Sequence, residues 1–387
     1  MEKVPRILYV SDVPVELSFG GATLIFRLLE HYPKENLLIV QGMEINPSTR
    51  IKGVKYIVWK SVWLERLRIT RLSNWLNWLS VIDNLLRARR LDNEVISFKP
   101  DLILTVSFRL MWLQAYKLSC SRNIPLHIIL HDEWLMTENY GGLQSYLRRK
   151  FENMYVKAAS RFCISQNMES YYFELFGKHG SVLFPMRGKN DFVFSVKNHV
   201  ADHSDKRMKF CYAGTLYTSD YVEMLNEISK IIANRNGELH IFTNQSGETL
   251  RNYSYLDKSH VYFHGFQRSS DLVRILNDQM DVAILLNSFD LGEAFRYNFS
   301  SKLVDYTSAG LPILFWGPHT SGVISWAIDS NYGAVVTHRN GDALNGVLDK
   351  LMNSEIRSSL ARDIVDLASE EFSYERNYNL FIRELCR

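Results

Sequence analysis

The chain has 387 residues, 46% hydrophobic and 22% charged, with 45 Lys and Arg against 42 Asp and Glu for a net charge of +3. At roughly 100–200 residues per domain this length suggests two domains or one large one, and the globular balance argues against a long disordered chain, a collagen or a coiled coil. No apolar run reaches the ~18 residues a membrane span needs. The start shows no signal-peptide pattern, and Cys120, Cys163, Cys211 and Cys386 fit neither a metal spacing nor a disulfide framework, so a reducing cytoplasm is the expected setting.

In chain order, residues 7–10 read as a buried strand, and Gly20-Gly21 opens an amphipathic stretch over 22–31. Further strands are expected at 37–41, 54–58, 102–107, 126–130 and 160–165, with a helix at 145–159 before the last of these. Strands alternating with helices predict a parallel sheet covered on both faces. The stretch 188–208 turns polar and loses its apolar periodicity, which marks a domain boundary. A second series follows, with strands at 209–213, 238–242, 261–264, 282–286, 313–316 and 334–336 and helices at 221–235, 270–277 and 301–309. A helical tail covers 343–352, 354–371 and 374–386. The expected architecture is α/β, with two Rossmann-like doubly wound domains at 1–195 and 205–370 and a terminal helix at 371–387. Two such domains leave a cleft, and open sheets bind ligands at the carboxyl ends of their strands.

Four segments carry possible chemistry. Gly20 and Gly21 follow a strand and a loop at a helix start, where glycine lets a ligand approach the backbone. They do not form GxGxxG, so a dinucleotide fingerprint is absent, and a tight turn with a helix cap explains them equally. His131 directly follows an apolar strand, with Asp132 and Glu133 beside it. These could hold sugar hydroxyls or phosphate, or could be a partly buried histidine and a capping acid; His127 is read as structural. Gly214 and Thr215 form a strand–glycine–helix turn whose backbone N–H groups and hydroxyl could cradle phosphate, or a turn with an N-cap. The fourth segment spans 295–314. Ser300 or Ser301 could cap a helix carrying Lys302, a natural diphosphate site. Asp305 at i+3 from Lys302 could accept ribose hydroxyls, or the two could be a surface pair. Gly310 ends the helix and Pro312 leads into the next strand.

Ser301-Lys302-Leu303-Val304-Asp305-Tyr306, followed by Ala309-Gly310-Leu311-Pro312-Ile313-Leu314, resembles the SKLxEYxAxGxPVL block of retaining nucleotide-sugar glycosyltransferases with the GT-B fold, family 4 and its relatives. Gly20-Gly21, His131-Asp132, Cys163 to Met168, Val182 to Met186, Tyr212-Ala213-Gly214 and Phe263 to Phe266 resemble weaker motifs of that family in the same order. The resemblance implies a nucleoside-diphosphate sugar as donor and no metal or other cofactor. It implies Lys302 on the diphosphate, Asp305 on the ribose, and Gly20, Gly21, Gly214, Thr215, Ser300 and Ser301 around the donor. His131 would orient the sugar or acceptor, Asp132 and Glu133 would lie on the acceptor side, and the terminal helix would cross back to the first domain. Three departures stand out. Asp305 stands where the family has a Glu, one methylene longer. Tyr297 occupies the place of the first Glu of the E-x7-E motif, with Glu293 out of register. The loop Thr215, Tyr217, Thr218, Ser219 has no cation, leaving Arg296 and Lys302 to neutralise the diphosphate.

Charge is uneven along the chain: residues 1–200 hold 27 Lys and Arg against 18 Asp and Glu, and residues 201–387 hold 18 against 24. Within 59–90, Trp59, Trp63, Trp75 and Trp78 alternate with Lys60, Arg66, Arg68, Arg71, Arg87, Arg89 and Arg90, opposed only by Glu65 and Asp83. Such a segment fits an anionic membrane surface and a glycan or lipid-linked acceptor, or a helix packed on the sheet with a basic outer face. Nucleic acid is not an expected partner. The expected activity is sugar transfer with retention in surface-polysaccharide synthesis. A catalytically silent sugar-nucleotide-binding or scaffold subunit and a nucleotide-sugar 2-epimerase are the alternatives.

Overall fold

A computed structural model describes residues 4–17, 20–59, 73–137, 140–196, 207–216, 218–250, 253–290, 292 and 296–387. Tyr217, Glu293 and the basic tract 60–72 lie outside the described residues. Two compact units are present. Unit 1 comprises Met1–Pro185, Glu293–Phe299 and Tyr374–Arg387; unit 2 comprises Met186–Gly292 and Ser300–Ser373.

Unit 1 is built on seven strands: β1 Ile7–Ser11, β2 Leu37–Gln41, β3 Lys55–Val58, β4 Leu102–Val106, β5 Leu126–Leu130, β6 Ser160–Cys163 and β7 Ser181–Val182. Their spatial order is β3-β2-β1-β4-β5-β6-β7 and every pairing is parallel. β1, β2, β4 and β5 are buried along their whole length. Helices cover both faces of such a sheet, so its central strands are continuous apolar runs rather than alternating ones. Gly20–Leu29 is a helix burying Ala22, Leu24, Ile25, Leu28 and Leu29, a stripe at helical spacing. The last helix, Tyr374–Leu385, belongs to this unit: Phe381 packs on Phe162 at 5.5 Å and Tyr374 on His31 at 5.7 Å.

Unit 2 repeats the plan with β8 Lys209–Ala213, β9 Glu238–Phe242, β10 Val261–His264, β11 Val282–Leu286, β12 Ile313–Trp316 and β13 Val335–Val336, ordered β10-β9-β8-β11-β12-β13. The unit begins at Met186, upstream of the polar stretch read as the boundary. The reason is Arg187. Its buried guanidinium donates to Ser308 Oγ, Thr307 Oγ1 and the Ala368 carbonyl, and Phe194 N–H donates to the Ser308 carbonyl. The helices Gly341–Met352 and Ser354–Glu371 stay with this unit, each started by an asparagine (Asn340, Asn353) accepting two backbone N–H bonds.

Each sheet reverses its winding at one point, between β1 and β4 and between β8 and β11. There the ladder stops short. β1 pairs with β4 only from Ile7 to Tyr9, and β11 pairs with β8 only at Val282 and Ala283. Beyond those points side chains take over the freed backbone groups. Thr105 Oγ1 donates to the Val10 carbonyl at 2.7 Å. The Tyr306 hydroxyl accepts from Ala213 N–H at 2.8 Å and donates to the Ile284 carbonyl at 3.2 Å. These switch points are where open α/β sheets bind ligands.

Candidate functional site

In unit 2 the switch point is occupied by Lys302, the first residue of the short helix Lys302–Ser308. Its Nζ donates to the Tyr212 hydroxyl at 2.9 Å and lies 4.4 Å from the Tyr212 ring centroid, a cation–π geometry. The Tyr212 hydroxyl in turn donates to the Thr215 carbonyl at 3.1 Å. Burial lowers the lysine pKa to about 7. Gly214 makes this placement possible. It has φ +136°, and a Cβ there would land on Lys302 Cε and Nζ. Its N–H donates to the Phe242 carbonyl at 2.8 Å, so the expectation that this N–H cradles phosphate is corrected: Gly214 contributes space, not a donor. Thr215 stands next to it, half-buried.

The serine cap is also corrected. Ser301 precedes the helix with helical backbone angles and makes no side-chain cap bond. The first turn instead closes tightly through Leu303 N–H to the Ser300 carbonyl and Val304 N–H to the Ser301 carbonyl. At the other end Gly310 takes φ +69° and Leu311 N–H reaches the Tyr306 carbonyl, a left-handed helix stop. Asp305 faces the neighbouring helix Ser269–Gln279, where Ser269 Oγ donates to Oδ1 at 2.5 Å. Lys302 and Asp305 thus share a helix but have different partners.

Sequence reading missed Asp220. It is buried at the start of the helix Ser219–Ala233, accepts from Ser288 Oγ and from Phe289 N–H at 2.8 Å, and pairs with Arg339. It therefore fixes the loop leaving β11. An aspartate in a helix's first turn reads as an ordinary cap, which is why its reach across the sheet was invisible.

In unit 1, His131 follows β5 at its carboxyl end. Gly21 lies against the imidazole, and a Cβ there would come 2.9 Å from Nδ1, so glycine is needed for contact rather than for a turn. The imidazole is kept neutral by burial, its pKa lowered to about 4. Its Nε2 is buried with no hydrogen-bond partner among the described residues. Asp132 accepts from Asn298 Nδ2 at 2.9 Å, and Asn298 Oδ1 is likewise buried and unpartnered among the described residues. Sequence reading missed Asn298; nothing in a loop asparagine signals such a role. His127 is buried and meets Ser160 Oγ at 2.7 Å.

Glu133 does not lie on an acceptor surface. It is fully buried, accepts from Tyr172 and from Met136 N–H, and so starts the turn Trp134–Thr137 from inside the core; burial raises its pKa. Arg296 is exposed and falls within unit 1. The residues after it are stitched to unit 1. Tyr297 stacks on Tyr171 at 4.3 Å, Ser165 Oγ donates to its carbonyl at 2.6 Å, and Phe299 packs on Phe184 at 5.0 Å. Where the family pattern has a glutamate, this chain has an aromatic anchor. Among the described residues no group of three His, Cys, Asp or Glu is placed to hold a metal ion, and no helix is long and apolar enough to cross a membrane.

No protein-family model and no curated protein matches the chain. Solved structures do. One, called trehalose-6-phosphate from E. coli bound with UDP-2-fluoro glucose, aligns at TM-score 0.66 and 12% identity over 98% of both chains. A glycosyltransferase from Rickettsia africae aligns at 0.65 and 12% identity, covering 97% of this chain and 96% of its own. An alpha,alpha-trehalose-phosphate synthase (UDP-forming) from Burkholderia xenovorans, in complex with glucose-6-phosphate, aligns at 0.62 and 11%, covering 99% and 100%. The chain therefore has the GT-B fold of these glycosyltransferase structures, with two doubly wound parallel-sheet units.

Proposed function

We propose that the protein is a retaining glycosyltransferase that moves a sugar from a nucleoside-diphosphate donor to a glycan, glycolipid or lipid-linked acceptor, at the cytoplasmic face of a membrane and in surface-polysaccharide synthesis. The observation that carries the reading is Lys302 enclosed over Gly214 at the unit 2 switch point. A half-buried lysine whose partners are a hydroxyl and a ring is poised to receive an anion, which would hold it in its charged form. The solved neighbour whose name includes UDP-2-fluoro glucose supports a nucleoside-diphosphate sugar as donor, and the one bound to glucose-6-phosphate supports a sugar-bearing acceptor no more closely than that.

In this reading the donor diphosphate lies against Lys302, with Ser300, Ser301 and Thr215 around it and Asp305 on the ribose. The bond between the anomeric carbon and the phosphate oxygen breaks, and Lys302 stabilises the charge on the departing diphosphate. The acceptor hydroxyl attacks from the same face and its proton passes to the departing phosphate oxygen. The scheme draws on no metal ion. Neutral His131 orients a hydroxyl through Nε2, and Gly21 makes room for its ring. Asp132 and Asn298 hold hydroxyls on the acceptor side.

Two outcomes check these roles. Asp305→Ala should weaken nucleoside-diphosphate affinity by about 10-fold or more, the range for a bond to a charged group. A 2′,3′-dideoxy analogue should bind both forms equally, and an equal loss with the analogue would remove Asp305 from the ribose. Asn298→Ala should lower kcat/KM by about 10-fold while leaving nucleotide affinity unchanged. Asn298→Asp should do worse, because it sets a second carboxylate beside Asp132. Release of nucleoside diphosphate from a donor panel, with and without membrane-extracted acceptors, tests the activity itself. Turnover only with acceptor supports transfer. A C2 epimer without acceptor identifies an epimerase, and binding without turnover a silent subunit, which the cation-free loop and Tyr297 would favour.

A further inference from the structure

Among the described residues other than glycine, Lys99, Arg109, Asn123, Asn236 and Asn331 have a positive φ. Four of them close helices, where a left-handed residue is the ordinary stop. Lys99 and Asn123 directly follow the helices Asp92–Phe98 and Met111–Arg122, and Asn236 and Asn331 stand within three residues of the ends of Ser219–Ala233 and Gly322–Asp329. Arg109, with φ +48°, closes nothing. It lies between β4 and the helix Met111–Arg122, on the carboxyl-end rim of the unit 1 sheet beside the β1–β4 switch point. Its backbone is clamped. The indole N–H groups of buried Trp112 and Trp134 both donate to the Arg109 carbonyl at 2.8 Å. Asp12, in the loop after β1, accepts from the next two N–H groups, Leu110 at 3.0 Å and Met111 at 2.8 Å. The side chain stays half-buried, its guanidinium carbon 5.6 Å from the Phe108 ring centroid. Asparagine or glycine would offer the same carbonyl with less strain. A long cation at this φ is the strained choice, so the clamp secures the position of the guanidinium, and strain held by its surroundings in this way marks functional sites.

We propose that Arg109 binds a phosphate group of the acceptor, on the same rim that carries His131. Asp12 already occupies the first N–H groups of the helix, so an anion arriving here meets the guanidinium instead. A guanidinium fork matches two phosphate oxygens at once. β5 pairs with β4, ~5 Å away, and ends at His131, whose Nε2 is buried with no hydrogen-bond partner among the described residues. Trp134, three residues further on, ties the two loops together through the Arg109 carbonyl. The rim therefore offers a fixed cation and a neutral hydrogen-bonding ring on neighbouring strands, the pair a phosphorylated substrate needs. The excess of Lys and Arg in residues 1–200, 27 against 18 Asp and Glu, favours the approach of such an anion. The inference deepens the transferase reading, on which the word acceptor rests, but the phosphate contact belongs to unit 1 and is measured without a donor.

The test is calorimetric titration of the full chain, wild type and Arg109→Asn, with glucose 6-phosphate against glucose and with farnesyl phosphate against farnesol, alongside glucuronate. At least one phosphate should bind about 10-fold or more tightly than its phosphate-free counterpart, and which of the two does so tells a sugar phosphate from a lipid phosphate. Arg109→Asn should lose about 10-fold or more of that affinity, the range for a bond to a charged group. It should nonetheless melt no lower than the wild type, because asparagine tolerates the left-handed region, and it should keep the response to nucleotides. A side chain kept only for packing on Phe108 would give the reverse, a lower melting temperature with phosphate binding unchanged. That result, no preference for either phosphate, or glucuronate bound more tightly than glucose 6-phosphate would overturn the proposal. Phosphate binding that is lost in Arg109→Asn, in a protein that responds to no nucleotide, would uphold the Arg109 site and contradict the transferase reading.

Discussion

Lys302→Met is expected to make the unliganded protein more stable while removing its response to nucleotides. The wild-type amine is enclosed, its pKa lowered to about 7 by desolvation, and its contacts are the Tyr212 hydroxyl and ring. Methionine has a similar length and no charge to desolvate. Replacing buried ionic groups by apolar ones of like volume commonly gains about 1–4 kcal/mol. Part of the lysine side chain still reaches solvent and one hydrogen bond is lost, so the lower end, about 1–2 kcal/mol, is expected. For a unit of this size each kcal/mol moves Tm by about 2–4 °C. The effect has a sign in pH. Between about 7 and 10.5 the unfolded chain holds a proton that the folded one has released, so wild-type stability rises with pH across that window. The advantage of Lys302→Met is therefore largest below pH 7 and shrinks as pH rises toward 10.5. Melting curves of both proteins at pH 6, 8 and 10 check this. A variant less stable at all three would mean that the lysine is already paired in the free protein.

Gly214→Ala is expected to cost both stability and nucleotide binding. The new Cβ would fall on Lys302 Cε and Nζ at a residue with φ +136°. That region is open to glycine and strained for any other residue. To make room the lysine must give up its bond to the Tyr212 hydroxyl and its contact with the ring. Loss of about 2–4 kcal/mol in stability is expected, with nucleotide affinity falling beyond detection. The double variant Gly214→Ala with Lys302→Ala separates the two causes. It should recover the part of the stability lost to the clash, keep the part due to backbone strain, and bind no nucleotide. Recovery of the whole loss would show that the backbone itself bears little strain.

Much of the fold was legible because parallel sheets are written as apolar runs. All six strands of unit 2 and six of the seven in unit 1 stand at or within a few residues of the runs that predict them. The missed strand, Ser181–Val182, has two residues and no pattern to show. Met111–Arg122 was missed as a helix for the opposite reason. It buries Met111, Trp112, Leu113, Gln114, Ala115, Tyr116 and Leu118, so its first two turns are covered on every side and show no 3.6-residue alternation. Gly322–Asp329, opened by a glycine and mostly buried, hides in the same way.

The candidate site was legible as residues and not as partners. Lys302, Gly214 and His131 could be picked out, because glycines at strand ends and a lysine at a helix start are local features. That Lys302 meets Tyr212, 90 positions away, is a property of the fold. Spacing failed where a second element intervened. Asp305 sits one turn from Lys302, yet Ser269 of another helix bonds it. Glu133 follows two polar residues, yet the chain turns it inward among tyrosines. Ser301 looks like a cap, but a tight first turn needs none.

The central claim is that Lys302 over Gly214 receives a nucleoside diphosphate. The most direct measurement is the melting temperature of the wild type and of Lys302→Met against a panel of nucleoside diphosphates and their sugars. A ligand at 100 times its Kd stabilises by ~2.7 kcal/mol, well within detection. The account predicts a shift with one nucleotide family in the wild type and none in the variant. No shift with any nucleotide in a folded wild type, or the same shift in both proteins, would contradict it.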